Sequence, residues 1–138
     1  VNSRFLLTDV AVQKHLVCSE DVALGWSPLV SQLKDRLEKE LETTFNYVLI
    51  NKYRDGNDKA SYHSDNARHD FIASISLGAT RKFVLKNKKD TSRKQSFMLT
   101  HGSLIVMVGA ATQTHWQHSL PVMKRVTESR INLTFRHT

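Results

Sequence analysis

The segment that most constrains the fold is Arg130-Ile131-Asn132-Leu133-Thr134-Phe135-Arg136. Ile131, Leu133 and Phe135 alternate with Arg130, Asn132, Thr134 and Arg136, the period of a strand with one apolar face. At a sheet edge the polar set would simply face water. Elsewhere, though, the chain supplies partners for it: a His-x-Asp at His63 and Asp65, a later His118, and an Asn-x-Tyr at Asn51 and Tyr53. Such a face can hold a small dianion beside a metal. Arginine suits a buried carboxylate better than lysine because its planar fork bonds two oxygens. Six residues of strand put about 20 Å of backbone between Arg130 and Arg136, so the two serve different ends of such a ligand.

Around this strand the chain reads as one mainly β domain with a flanking helix. Ser27 as N-cap and Pro28 at the first helical position open the helix. Val30, Leu33, Leu37 and Leu41 then fall on one apolar stripe. Strands are predicted over 47–54, 71–77, 82–86, 96–99 and 104–108, from aromatic and β-branched content between turn signals such as Asp55-Gly56-Asn57-Asp58. The segment 87–95 reads as a hairpin loop, and residues 1–25 have no clear register. One helix and six or seven short strands point to a sandwich or barrel carrying a helix on one side. A βαβ series is excluded because no second helical pattern is present.

At 138 residues the chain is long enough for one domain with a real core. No apolar run approaches the roughly 18 residues of a membrane helix, and no signal peptide is visible, so no membrane partner is expected. The single cysteine, Cys18, excludes an internal disulfide and fits a reducing compartment, nucleus or cytoplasm. The start at Val1 rather than Met reads as a domain taken from a longer protein; a monomer is expected. The net charge of +7 is concentrated, with seven Lys or Arg and one acid (Asp90) between Arg81 and Lys94. A basic segment of this kind attracts phosphate backbones.

His63-Ser64-Asp65 places imidazole and carboxylate on one side of a strand end. With one distant histidine (His101, His115 or His118) it would make the two-histidine, one-carboxylate face of a non-haem Fe(II) oxygenase. The ordered set Asn51-x-Tyr53, His63-x-Asp65, Trp116-Gln117-His118 and Arg130-x-Asn132-x-x-x-Arg136 resembles the AlkB family of Fe(II)/2-oxoglutarate dioxygenases, over roughly residues 26–137. The resemblance is nearest to the branch that repairs alkylated DNA and RNA. It implies a double-stranded β-helix (jelly-roll) over 26–138, with 1–25 the remnant of a nucleotide-recognition lid. It also selects His118, so that the iron ligands are His63, Asp65 and His118. Arg130, helped by Asn51, Tyr53 and Asn132, would bind the distal carboxylate of 2-oxoglutarate, with Arg136 nearer its chelating end.

The activity so implied is oxidative removal of N-alkyl groups, as in 1-methyladenine and 3-methylcytosine, with O2 and 2-oxoglutarate as cosubstrates and the target base extruded or unpaired. Substrate contacts are assigned to Tyr62, Asn66, Asp70, Arg81, Lys82, Lys124 and Arg125. Two departures from the family pattern fall on that side. Asn66-Ala67 stand where repair members carry an acidic pair, with Asp70 as a substitute carboxylate. His15 is the only ring between Phe5 and Trp26 for a lid. The same chemistry on N6-methyladenine or a protein side chain, and a non-enzymatic basic nucleic-acid-binding domain, are the competing readings.

Overall fold

In the computed structural model, which describes residues 3–8, 12–15, 26–65 and 71–137, two antiparallel sheets enclose a cavity. The larger sheet contains β1 (Ser3–Thr8), β2 (Val12–His15), β3 (Tyr47–Tyr53), β5 (Phe71–Gly78), β8 (Leu104–Val108) and β10 (Arg130–Arg136), in the order β2-β1-β3-β10-β5-β8. The smaller contains β4 (Ala60–His63), β6 (Arg81–Asn87), β7 (Lys94–Leu99) and β9 (Trp116–Leu120), in the order β4-β9-β6-β7. From β3 on, successive strands switch sheets, except that β6 and β7 pair within the smaller one, and β10, the last strand, is inserted near the middle of the larger one.

Helix α1 (Pro28–Leu41) starts as its sequence dictates. Ser27 Oγ accepts from the Val30 N–H at 3.3 Å, and Glu42 ends the helix in the left-handed region. Its apolar stripe packs on the outer face of the larger sheet, where Leu37, Phe45, Val48, Ala73, Leu133 and Phe135 form one core cluster. Trp26 stacks on Phe135 with ring centroids 6.4 Å apart. A second cluster of Ile72, Phe83, Leu99 and Met107 fills part of the space between the sheets.

Several expectations need correction. The described residues hold ten strands rather than six or seven, with β9 unforeseen and β1 and β2 lying where no register was read. A second helix exists, α2 (Ala110–His115), only six residues long and so too short to show a period. The basic hairpin loop is shorter than 87–95, because β6 runs to Asn87 and β7 starts at Lys94. On β10 the apolar set divides: Leu133 and Phe135 are buried, whereas Ile131 is exposed. Among the described residues no helix is long and apolar enough to cross a membrane.

Candidate active site

β10 carries the cationic end of the cavity. In the antiparallel register Arg130 lies opposite Tyr53 and Asn132 opposite Asn51 on β3; on β5, Asn132 lies opposite Ser76 and Thr134 opposite Ser74. Since i and i+2 share a face, all of these polar side chains turn to the same side. All but Ser76 line a cavity of about 220 Å³ together with Leu49, Phe83 and Met107. That is below the roughly 300–1,000 Å³ of pockets for drug-sized ligands, and it suits a small acid.

Arg130 is buried there with no counter-ion among the described residues. Its Nη2 donates to Ser76 Oγ at 2.9 Å, its Cζ lies 5.3 Å from the Tyr53 ring centroid, and its Nε has no partner among the described residues. Burial pulls its pKa down, and the nearby Arg81 charge adds to the effect. A carboxylate arriving at this end would relieve both penalties. Asn132 is committed to the sheet: its amide donates to Ser74 Oγ and, at 3.1 Å, to the Ile75 carbonyl, while Thr134 Oγ1 donates to its Oδ1 at 2.8 Å. It lines the cavity with its amide group already fixed.

The other end is a cluster of possible metal donors. His63 closes β4 directly opposite His118 of β9, which brings the two rings to 4.3 Å between centroids. The His63 Nδ1–H donates to the Ser61 carbonyl at 2.7 Å, leaving Nε2 as the free lone pair. Asp65 Oδ1 is 4.0 Å from His63 Nε2, and Oδ2 is 3.6 Å from His118 Nε2. The three donor atoms lie within 4.8 Å of one another. Burial lowers the His118 pKa to about 4 despite the opposing pull of Asp65, so the ring is neutral near pH 7, the form that binds a metal.

Asp65 tests whether a cation fits. Oδ1 accepts from Arg136 Nη2 at 2.8 Å, but Oδ2 is buried and has no hydrogen-bond partner among the described residues. A buried carboxylate oxygen without a donor is costly, and a cation between it and the two Nε2 atoms removes that cost. Two imidazoles and one carboxylate leave further coordination positions open, the donor set of a facial-triad Fe(II) site.

Other contacts aim this cluster, and no local pattern announces them. The Asp65 N–H donates to Gln113 Oε1 at 2.9 Å, and Ser64 Oγ donates to the Trp116 carbonyl at 2.7 Å. Gln113 is buried on α2, 48 residues along the chain from Asp65. Only the fold makes them neighbours.

The remaining candidates scatter. His101 is exposed, its Nδ1 accepting from the Gly78 N–H at 2.9 Å, and His115 is exposed at the end of α2. His115, an alternative third ligand, does not line the cavity. Tyr62 does not line the cavity; Lys86 Nζ sits 3.7 Å from its ring centroid. Lys82, Lys124 and Arg125 are exposed. Arg81 is not: its side chain is fully buried and bound to main-chain carbonyls, so it cannot meet substrate at the surface. Asn66 and Asp70 lie outside the described residues.

This fold, with three donors at one end of the cavity and, at the other, a guanidinium with no acidic partner among the described residues, defines a class, and residues 9–136 match the family model of the 2OG-Fe(II) oxygenase superfamily. The chain belongs to that superfamily and, within it, to the AlkB family, whose cofactor is Fe(II) with 2-oxoglutarate and O2 as cosubstrates. It is 43% identical over 122 residues to the DNA oxidative demethylase ALKBH2 of Bos taurus, covering 80% of this chain and 44% of that protein. It is 39% identical over 123 residues to the alpha-ketoglutarate-dependent dioxygenase alkB homolog 3 of Homo sapiens, covering 80% and 43%. The chain thus spans about half the length of the relatives it matches. The solved structure of OsALKBH1 superimposes with a TM-score of 0.72 at 16% identity, covering 99% of this chain and 78% of that one. That likeness concerns the fold alone, and the double-stranded β-helix expected from the sequence is the fold found.

Proposed function

We propose that the chain catalyses Fe(II)- and 2-oxoglutarate-dependent oxidative demethylation of N-alkylated bases in DNA or RNA. The observation that carries this reading is a single cavity with His63, Asp65 and His118 clustered at one end and the uncompensated Arg130 guanidinium at the other. His63 Nε2, His118 Nε2 and an Asp65 carboxylate oxygen would hold the iron. Arg130 would hold the distal carboxylate of 2-oxoglutarate, in a pocket shaped by Asn51, Tyr53 and Asn132. Arg136, paired with Asp65, would steady both the metal ligand and the chelating end of the cosubstrate.

When bound, Fe(II) with 2-oxoglutarate and O2 supplies the oxidising power to turn a C–H of the N-alkyl group into C–OH, while 2-oxoglutarate leaves as succinate and CO2. The hydroxylated carbon then departs as an aldehyde, formaldehyde for a methyl group. The protein's own part is placement. Leu49, Phe83 and Met107 exclude water around the polar end groups, Gln113 fixes the Asp65 backbone, and Phe83 stacks at 5.4 Å on the His118 ring.

Nucleic acid is supported as the partner by charge. Lys88, Lys89, Arg93 and Lys94 are exposed on the β6–β7 hairpin, and Lys124 and Arg125 on the segment before β10. Such contacts fix register on a phosphate backbone without reading sequence. The relatives are named for DNA demethylation or for dioxygenase activity, which supports the same substrate class. The lone cysteine supports a reducing compartment, and we take the chain to act as a monomer.

Incubation with Fe(II), 2-oxoglutarate and oligonucleotides carrying 1-methyladenine or 3-methylcytosine is expected to remove one methyl per lesion by mass, with formaldehyde and succinate in equal amounts. Succinate without loss of methyl would keep the oxygenase and remove the base-repair assignment, and N6-methyladenine or a peptide would be the next substrate tried. Nucleic-acid binding without succinate would leave only the non-enzymatic reading.

A further inference from the structure

Among the described residues Arg81 is the largest fully buried side chain, and it has no role in the site described above. Its Nη1 donates to the Asp55 carbonyl at 2.9 Å, and Nη2 donates to the carbonyls of Asp58 at 2.7 Å and Pro121 at 2.9 Å. The Asp58 carboxylate is occupied by Arg54, which holds it through its main-chain N–H, Nε and Nη2 at 2.8, 2.9 and 2.8 Å. Arg81 therefore takes three main-chain carbonyls from two separate loops. A lysine ammonium could not reach all three with fixed geometry.

The two loops it joins are also clasped to each other. The Gly56 N–H donates to the Val126 carbonyl at 2.7 Å, and the Met123 N–H donates to the Gly56 carbonyl at 2.8 Å. A Cβ at Gly56 would stand 1.7 Å from the Met123 carbonyl oxygen, so only glycine permits this approach. The β3–β4 turn and the segment after β9 thus form one closed unit with Arg81 at its centre. Tyr53, the last residue of β3, leads into that unit. Its ring carries the Arg81 guanidinium 5.7 Å from its centroid on one count and the Arg130 guanidinium at 5.3 Å on the other.

We propose that Arg81 is a positioning residue for the anion end of the cavity. By tying the two loops to the Tyr53 ring, it holds Tyr53 where that ring orients Arg130, and it places a second buried positive charge behind the first. It touches no ligand; it acts through Tyr53 and Arg130. The inference rests on the assignment of the Arg130 end to the distal carboxylate of 2-oxoglutarate.

The test compares two ligands on the Mn(II)-loaded protein by calorimetry: 2-oxoglutarate, and 2-oxobutyrate, which keeps the chelating end but lacks the distal carboxylate. In the unaltered protein 2-oxoglutarate is expected to bind more tightly. Arg81→Lys should weaken 2-oxoglutarate about tenfold, within the usual range for coupled neighbours, and leave 2-oxobutyrate and Mn(II) within twofold. In a Tyr53→Leu background, which removes the ring through which Arg81 acts, the same change should have a smaller effect on 2-oxoglutarate. Arg81→Met, checked for an unchanged far-ultraviolet spectrum, should repeat the Arg81→Lys pattern more strongly. Equal weakening of both ligands, or none, in a folded Arg81→Lys protein would overturn the positioning role. Equal affinity for both ligands in the unaltered protein would instead remove the Arg130 assignment, and the role of Arg81 with it.

Discussion

Leu133 and Phe135 on one face of β10 are 4% and 0% exposed, and Arg130 and Thr134 on the other are 3% and 5% exposed. By burial these four residues cannot be told apart. By chemistry they are opposites: the first packs beneath α1 in an apolar cluster, and the second turns a guanidinium and hydrogen-bonding groups into a cavity. Burial of the first stabilises the fold through apolar area removed from water. Burial of the second costs stability, because Arg130 is desolvated with no carboxylate beside it among the described residues. A strand that carries that cost at its centre has a site to build, since a ligand that supplies the missing charge gains what the empty pocket lacks.

This contrast can be broken most sharply at the metal end. His63→Ala removes one of three donors, and metal affinity should fall on the order of 100-fold or more, beyond the loss seen when only a ligand's hydrogen-bond partner is removed. Turnover should fall to background. Mn(II) binding followed by electron paramagnetic resonance checks the first, and retained binding would mean the cluster is misassigned.

Next in size is the apolar face. Phe135→Ala should destabilise by about 3–5 kcal/mol, as expected for a buried aromatic lost from a core. Measured by urea unfolding, the midpoint should drop, while the folded fraction keeps its affinity for 2-oxoglutarate. A selective loss of cosubstrate binding with normal stability would show that the two faces are not separable.

Arg130→Lys is the mirror image. Stability should be unchanged or slightly raised, but the 2-oxoglutarate requirement should rise about 10–100-fold, the range for a lost hydrogen bond to a charged group. Steady-state kinetics with a melting curve on the same sample separates the two outcomes. An unchanged KM would place the cosubstrate elsewhere.

The smallest effect concerns the surface. Lys124→Ala and Arg125→Ala should each weaken oligonucleotide binding uniformly across sequences and lower the salt slope by about 1. Neither should alter 2-oxoglutarate affinity. A sequence-dependent loss would give these residues a reading role rather than a positioning one.

The same contrast explains what the sequence made legible. Period-two alternation located β10, and the N-cap with its stripe located α1, because both signals are local. The burial of the polar face was not local. Alternation sorts residues by polarity, and only the ordered motifs, matched against a family, turned Arg130 and Asn132 inward. β9 was missed because Trp-Gln-His-Ser-Leu does not alternate, yet His118, Ser119 and Leu120 are all buried by strands on both sides. Arg81 was read as one more cation of a basic segment, because nothing nearby in sequence announces that carbonyls from Asp55, Asp58 and Pro121 will surround it. Gln113 was invisible for the same reason.

The central claim is that one cavity holds iron at His63, Asp65 and His118 and the cosubstrate's far carboxylate at Arg130. Its most direct test is an anaerobic titration of the Fe(II)-loaded protein with 2-oxoglutarate, watching for the visible charge-transfer band of a chelated 2-oxoacid. A saturable band is expected in the unaltered protein, with its loss in Asp65→Ala and its recovery only at much higher 2-oxoglutarate in Arg130→Lys. No band in the unaltered protein, or the same half-saturation in Arg130→Lys, would contradict the central claim.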